Sequence, residues 1–142
     1  MSVVSVMRGV VAVIAVVAGS ITLVGCGFSG PSYADLQRDA QPADVLPTDI
    51  VAAGGIDSES ARLVGEYEGT RVWLSRGSSE GSVCLVIEPR GADADVACAA
   101  AGSEIDLRES TAVHYWAVPD WTSPPDAGYM IRLSDSVYIS AK

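Results

Sequence analysis

Residues 9–24 read GVVAVIAVVAGSITLV, a charge-free and largely apolar run that leads directly to Gly25 and Cys26. No other feature constrains the folding of this chain as strongly. As a helix the run rises about 24 Å, short of the roughly 30 Å hydrocarbon core that a permanent span must cross. The stretch ahead of it, Met1 to Arg8, is short and carries a single positive charge. A positive lead, an apolar stretch and a small residue at Gly25 have the form of an export signal, which is removed and takes no part in the mature fold. The expected organisation is a signal-peptide helix at 1–25, a Gly/Ser tether at 26–32 and one small domain at 33–142.

The tetrapeptide Leu23-Val24-Gly25-Cys26 resembles a lipobox, the processing site of bacterial lipoproteins. The resemblance covers the first 26 residues and says nothing of the domain behind them. It implies that the Cys26 sulfur takes a diacylglycerol and that the peptide is cut after Gly25. That chemistry needs a thiol at Cys26, a small residue at Gly25 and an apolar residue at Leu23. Two or three acyl chains anchor stably where one alone is marginal. The implied location is the extracytoplasmic face of the cell membrane. The rival reading is a plain transmembrane anchor with an incidental cysteine, which attaches the domain in a similar way.

The charge balance narrows the partners. The chain has 18 acidic and 9 basic residues, a formal net charge of -9. Arg8 is the one charged residue ahead of Cys26, so removing it shifts the exported region to -10. Such a surface repels phosphate backbones and excludes nucleic acid as a partner. It also offers no polybasic patch to anionic lipid. The exported region, roughly 110 residues, suffices for one small core.

The order of elements follows from local pattern. Ser32 and Asp35 read as a variant capping box opening a short amphipathic helix, with Tyr33, Leu36 and Ala40 on its apolar face and Pro42 as its stop. Pro42 to Gly55 reads as an irregular crossing. From Ala61 the pattern alternates. Ala61–Tyr67 and Thr70–Ser75 flank Glu68-Gly69, a hairpin signal. Further strands are expected at Ser82–Glu88, Asp95–Ala99, Ser110–Val118, Tyr129–Leu133 and Ser136–Ser140, with Glu104–Leu107 as one more short strand. The expected fold is mainly β: a small antiparallel sheet or partly open barrel with one short N-terminal helix.

Cys84 and Cys98 are the cysteines left once Cys26 is set aside. Export places them in an oxidising compartment, where pairing is the expected state. They lack the C-x-x-C spacing and the partner histidines of a redox or metal pair. A disulfide closing a loop of this size contributes about 3 kcal/mol.

Candidate chemistry is sparse. His114 is the single histidine, so any Ser-His-Asp or Cys-His device must use it. Alternation places it with Ala112 and Trp116 on one strand face, and no nucleophile motif accompanies it. Acidic pairs at Asp57/Glu59, Glu66/Glu68, Asp93/Asp95 and Glu104/Asp106 lack the full calcium-loop pattern and read as solvated faces and turns. No cofactor and no metal is expected. The segment Pro119 to Tyr129 is longer than a hairpin loop, is stiffened by Pro124 and Pro125, and combines Trp121 and Tyr129 with Asp120 and Asp126. A flat apolar ring with acceptor carboxylates suits a sugar or a peptide; the alternative folds Trp121 back as a cap on the core. The leading expectation is a non-enzymatic, membrane-anchored binding or accessory module facing an envelope protein or glycan. The rivals are a small envelope hydrolase using His114 and a structural subunit of a membrane complex.

Overall fold

The alternating runs around Glu68 and Gly69 form the hairpin their pattern predicts: β1 (Ile56–Tyr67) and β2 (Thr70–Gly77) pair antiparallel, with Tyr67 opposite Thr70. Both turn residues have positive φ, +50° at Glu68 and +88° at Gly69, the twist that suits a two-residue hairpin. This computed structural model describes residues 30–110, 113–126 and 128–141. Cys26 and the apolar run before it lie outside the described residues, as do Ala112 and Ala127.

The hairpin continues into β3 (Ser82–Glu88) and β4 (Asp95–Ala100), giving a four-stranded antiparallel meander. A second four-stranded sheet holds β5 (Ile105–Arg108), β6 (Val113–Ala117), β7 (Met130–Arg132) and β8 (Val137–Ala141), in the order β5-β6-β8-β7. The molecule is mainly β and antiparallel, as expected. β1 begins at Ile56, ahead of the alternation that opens at Ala61. Between Asp57 and Arg62 it takes five steps against the two from Arg76 to Leu74, so its pattern there is out of phase with its partner.

The two sheets share one core. Val72 and Leu74 of β2 and Val83, Leu85 and Ile87 of β3 meet Ile105, Tyr115, Ala117, Val137 and Ile139 of the second sheet, with Tyr33 and Leu36 at the rim. Leu133 packs across to β1, where a Cβ at Gly65 would lie 2.7 Å from Leu133 Cδ1. Glu109 adds a polar clip. It accepts from Thr70 Oγ1 at 2.9 Å and from Tyr115 Oη at 2.7 Å, joining the β5–β6 connection to the start of β2. Burial and then the Glu109 bond push the Tyr115 phenol upward from its ordinary pKa.

The N-terminal region departs from its sequence reading in two ways. First, Ser32 does not cap the helix. α1 (Ala34–Gln37) has Tyr33 at its N-cap without a side-chain bond. The Ser32 hydroxyl turns instead to Asp120, and the Ala34 N–H at the helix start donates to the same Asp120 from across the chain. The helix stops before Ala40, which is exposed, because Arg38 is committed elsewhere. Its guanidinium binds both oxygens of Asp44, at 2.9 and 2.6 Å, and its carbonyl accepts from Arg62 Nε.

Second, the stretch from Pro42 to Gly55 is not an irregular crossing. Pro42 opens a 3-10 turn (Pro42–Asp44), Pro47 precedes α2 (Thr48–Ala53), and Gly54 ends it at φ +75°. These are helix boundary signals. The segment covers the back of the first sheet, where Leu46 and Ile50 bury Ala61, Trp73 and Val86 in a second small core. β2 and β3 are thereby buried on both faces. Asp44 locks the cover down. It is 6% exposed and accepts from Arg38, from Gln41 N at 2.7 Å and from Leu63 N at 2.7 Å. Burial alone would raise its pKa, but these bonds outweigh it and hold the carboxyl at about 2.

Cys84 and Cys98 stand directly opposite on β3 and β4, with sulfurs bonded at 2.05 Å and Cα atoms 4.0 Å apart. β4 reads DVACAA and packs only Ala97 and Ala99 against the shared core. Few apolar atoms hold this edge strand, and the disulfide supplies what its side chains lack.

Candidate functional site

The long connection from β6 to β7 has a topological cause. Both strands pair antiparallel with β8, which lies between them. They are therefore parallel to each other, and the chain must return the length of the sheet before β7 can start. Residues 118–129 make that return. Their number reflects strand order, so length alone carries no functional meaning here.

The crossover does not gather the four residues singled out from sequence. Trp121 lies beside the Arg132 end of β7, in a cleft with Arg132 and Tyr138. Tyr129 precedes Met130, at the other end of that strand, and is 76% exposed. Asp126 is exposed on the return path. Asp120 faces inward. Its two oxygens accept from Ser32 Oγ at 2.7 Å and Ala34 N at 2.9 Å, while its own N–H donates to the Ser32 carbonyl at 2.8 Å. Asp120 is thus an anchor for residues 32–34, not an acceptor held out to a ligand.

Trp121 is the residue that stands out. Its exposure, 101%, is that of a side chain with nothing packed on it. Its φ is +67°, in the left-handed region that bulky residues rarely occupy. Pro119 and Asp120 before it are buried and half-buried, so the backbone turns outward at this point and projects the indole. The alternative in which Trp121 caps the core does not hold; Trp73 fills the second core instead.

Two clefts flank the indole. One, of about 410 Å³, is lined by Val118, Thr122, Arg132, Asp135 and Tyr138 together with Trp121. Arg132 and Asp135, three residues apart at the β7–β8 turn, pair on its wall at 2.6 Å. The other, about 340 Å³, lies between Trp121 and the incoming segment Gly30–Ser32, with Gly102 as a wall. Tyr138, Arg132 and Asp135 were not picked out from sequence. Tyr138 alternates with the buried Val137 and Ile139, which marks it as outward-facing, but its place beside Trp121 depends on strand order.

His114 sits on the outer face of the second sheet with Trp116, ring centroids 6.2 Å apart, as alternation predicts. Asp106 Oδ1 is 3.8 Å from His114 Nδ1, and Ser140 stands opposite His114 in register. That contact is longer than the hydrogen bond that orients a catalytic imidazole. Ser140 is 6% exposed. Among the described residues no group of three His, Cys, Asp or Glu side chains is placed to hold a metal ion.

Fold and site together define a class: a small two-sheet antiparallel β domain, clamped by one disulfide, with an exposed tryptophan beside the segment through which the chain enters. No protein-family model, no curated protein and no solved structure matches the chain.

Proposed function

We propose that this chain is the precursor of a bacterial lipoprotein. In this reading lipid on Cys26 holds it at the extracytoplasmic face of the cell membrane, and the folded domain is a non-enzymatic binding or accessory module. Its contact point is Trp121, which touches another component of the cell envelope. The observation that carries this reading is the complete exposure of Trp121 on a strained, outward-turned backbone. A rigid aromatic gives a large contact area at small rotamer cost and often dominates binding energy. The anchor rests on the lipobox resemblance, and the export it implies agrees with the Cys84–Cys98 disulfide.

Two variants test the two halves. Cys26→Ala is expected to accumulate as the longer, unprocessed precursor and to take up no labelled fatty acid. Wild type that takes up no fatty acid, or keeps residues 1–25, would refute the anchor. Trp121→Ala is expected to keep its melting temperature and to lose association with envelope components. A large fall in melting temperature would instead assign Trp121 to packing.

The juxtaposition of Asp106, His114 and Ser140 favours one alternative, a small envelope hydrolase. Against it stand the length of the Asp106–His114 contact and the burial of Ser140. His114→Ala is expected to change stability more than any hydrolytic activity. Activity on an envelope substrate, lost in that variant with folding intact, would put the hydrolase first.

A further inference from the structure

The geometry points to the lipid bilayer itself as the partner of Trp121: the indole docks in the headgroup layer of the membrane that holds Cys26. This inference rests on the lipid-anchored reading and names the component that the exposed edge meets.

The first ground is position. Residues 32–34 are tied to residue 120 by three hydrogen bonds: Ser32 Oγ to Asp120 Oδ2, Ala34 N to Asp120 Oδ1, and Asp120 N to the Ser32 carbonyl. The next residue is Trp121, which shares a cleft with Gly30, Pro31 and Ser32. The exposed indole is therefore fixed at the place where the chain arrives from its N-terminus, and this placement does not depend on the path of the preceding residues.

The second ground is chain length. Gly30 is four residues from Cys26, and four residues span at most about 14 Å fully extended. The polar layer on each side of a bilayer is roughly 5–8 Å thick. With the acyl chains of Cys26 in the leaflet, even a fully extended tether leaves Gly30 within about 10 Å of the lipid surface. A path no longer than the polar layer puts Gly30 among the headgroups, and Trp121, which shares a cleft with Gly30, beside them.

The third ground is chemistry. Tryptophan concentrates at membrane interfaces because its ring is apolar and its N–H needs a wet partner. The formal net charge of -9 gives the chain no overall attraction to anionic lipid, so the contact proposed is interfacial and apolar. One lipid-borne anchor plus one wedge gives two points of attachment. The domain then holds a fixed tilt over the membrane where a tether alone would let it tumble.

The test uses the full chain, processed by a bacterial host and reconstituted in phosphatidylcholine vesicles with brominated acyl chains, which quench nearby indoles. Wild type is expected to lose some of its tryptophan emission relative to vesicles without bromine. Trp121→Phe, which removes the exposed emitter while keeping an aromatic ring, is expected to abolish most of that loss, because Trp73 is fully buried and Trp116 is half-buried with its indole nitrogen shielded from solvent. Flotation with the vesicles reads the anchor independently. Protein that floats without quenching, or whose quenching survives in Trp121→Phe, overturns the bilayer contact and leaves the lipoprotein reading intact. Protein that neither floats nor carries fatty acid overturns both. A photo-reactive phenylalanine at position 121 in living cells is expected to yield phospholipid adducts. A discrete protein adduct in their place would also overturn the inference.

Discussion

Asp44 shows how a single residue ties together what the sequence scatters. It bonds Arg38, Gln41 and Leu63, so the N-terminal cover and the first sheet meet on one carboxylate. Asp44→Asn keeps the shape but removes the charge, and leaves the Arg38 guanidinium without its counter-ion. The expected cost is about 3 kcal/mol at neutral pH, measured by urea unfolding. The pH dependence has a defined sign. The carboxyl is held at about 2, below its ordinary 3.8, so the unfolded chain binds the proton first as pH falls. The stabilisation is complete above about pH 4 and is lost as pH falls through 2. Wild type should lose roughly 2 kcal/mol from this group over that window, a component that Asp44→Asn lacks. Trp121 makes the opposite case, because nothing in the fold depends on its side chain. Trp121→Gly relieves the left-handed backbone, and its stability should hold or rise by up to about 1 kcal/mol. A loss beyond about 2 kcal/mol would mean that the indole packs after all.

At the scale of elements, the turn of the β1–β2 hairpin was legible to the residue because its determinants are local. Two alternating runs and a turn ending in Gly69 leave few other pairings. Glu68 is the imperfect residue of that turn, a charged side chain at φ +50° where Asn is preferred. Glu68→Asn should stabilise by about 0.5–1 kcal/mol, visible as a higher melting temperature. β4 is the weak element. Reduction, or paired Cys84→Ser and Cys98→Ser changes, should cost about 3 kcal/mol. Hydrogen exchange should show Asp95–Ala100 losing protection first, because little else holds that edge. Uniform loss across both sheets would contradict this account. The helical cover was misread because its prolines and glycines are equally the marks of a loop. What makes them helix boundaries is the apolar back face of β2 and β3, which Leu46 and Ile50 close.

For the whole molecule, the division between sequence and tertiary structure follows the range of each interaction. Strand positions, the hairpin and the Cys84–Cys98 pair were all readable, because period-two alternation, turn chemistry and the count of cysteines left once Cys26 is set aside act over short stretches or leave a single partner. That His114 and Trp116 share a face was readable for the same reason: neighbours on one strand face are set by the pleat. Strand order was not readable, since it depends on which apolar faces meet at long range. That order alone makes residues 118–129 a crossover, sends Tyr129 to the far end of β7 from Arg132, and brings Tyr138 beside Trp121. Asp120 shows the same limit. From sequence it is one more loop carboxylate; in the fold it caps a helix that begins 86 residues earlier. Local patterns determined which segments are strands and which cysteines pair. Only the packing of the two sheets decided which polar groups are used up in holding the chain together and which aromatic ring is left facing outward.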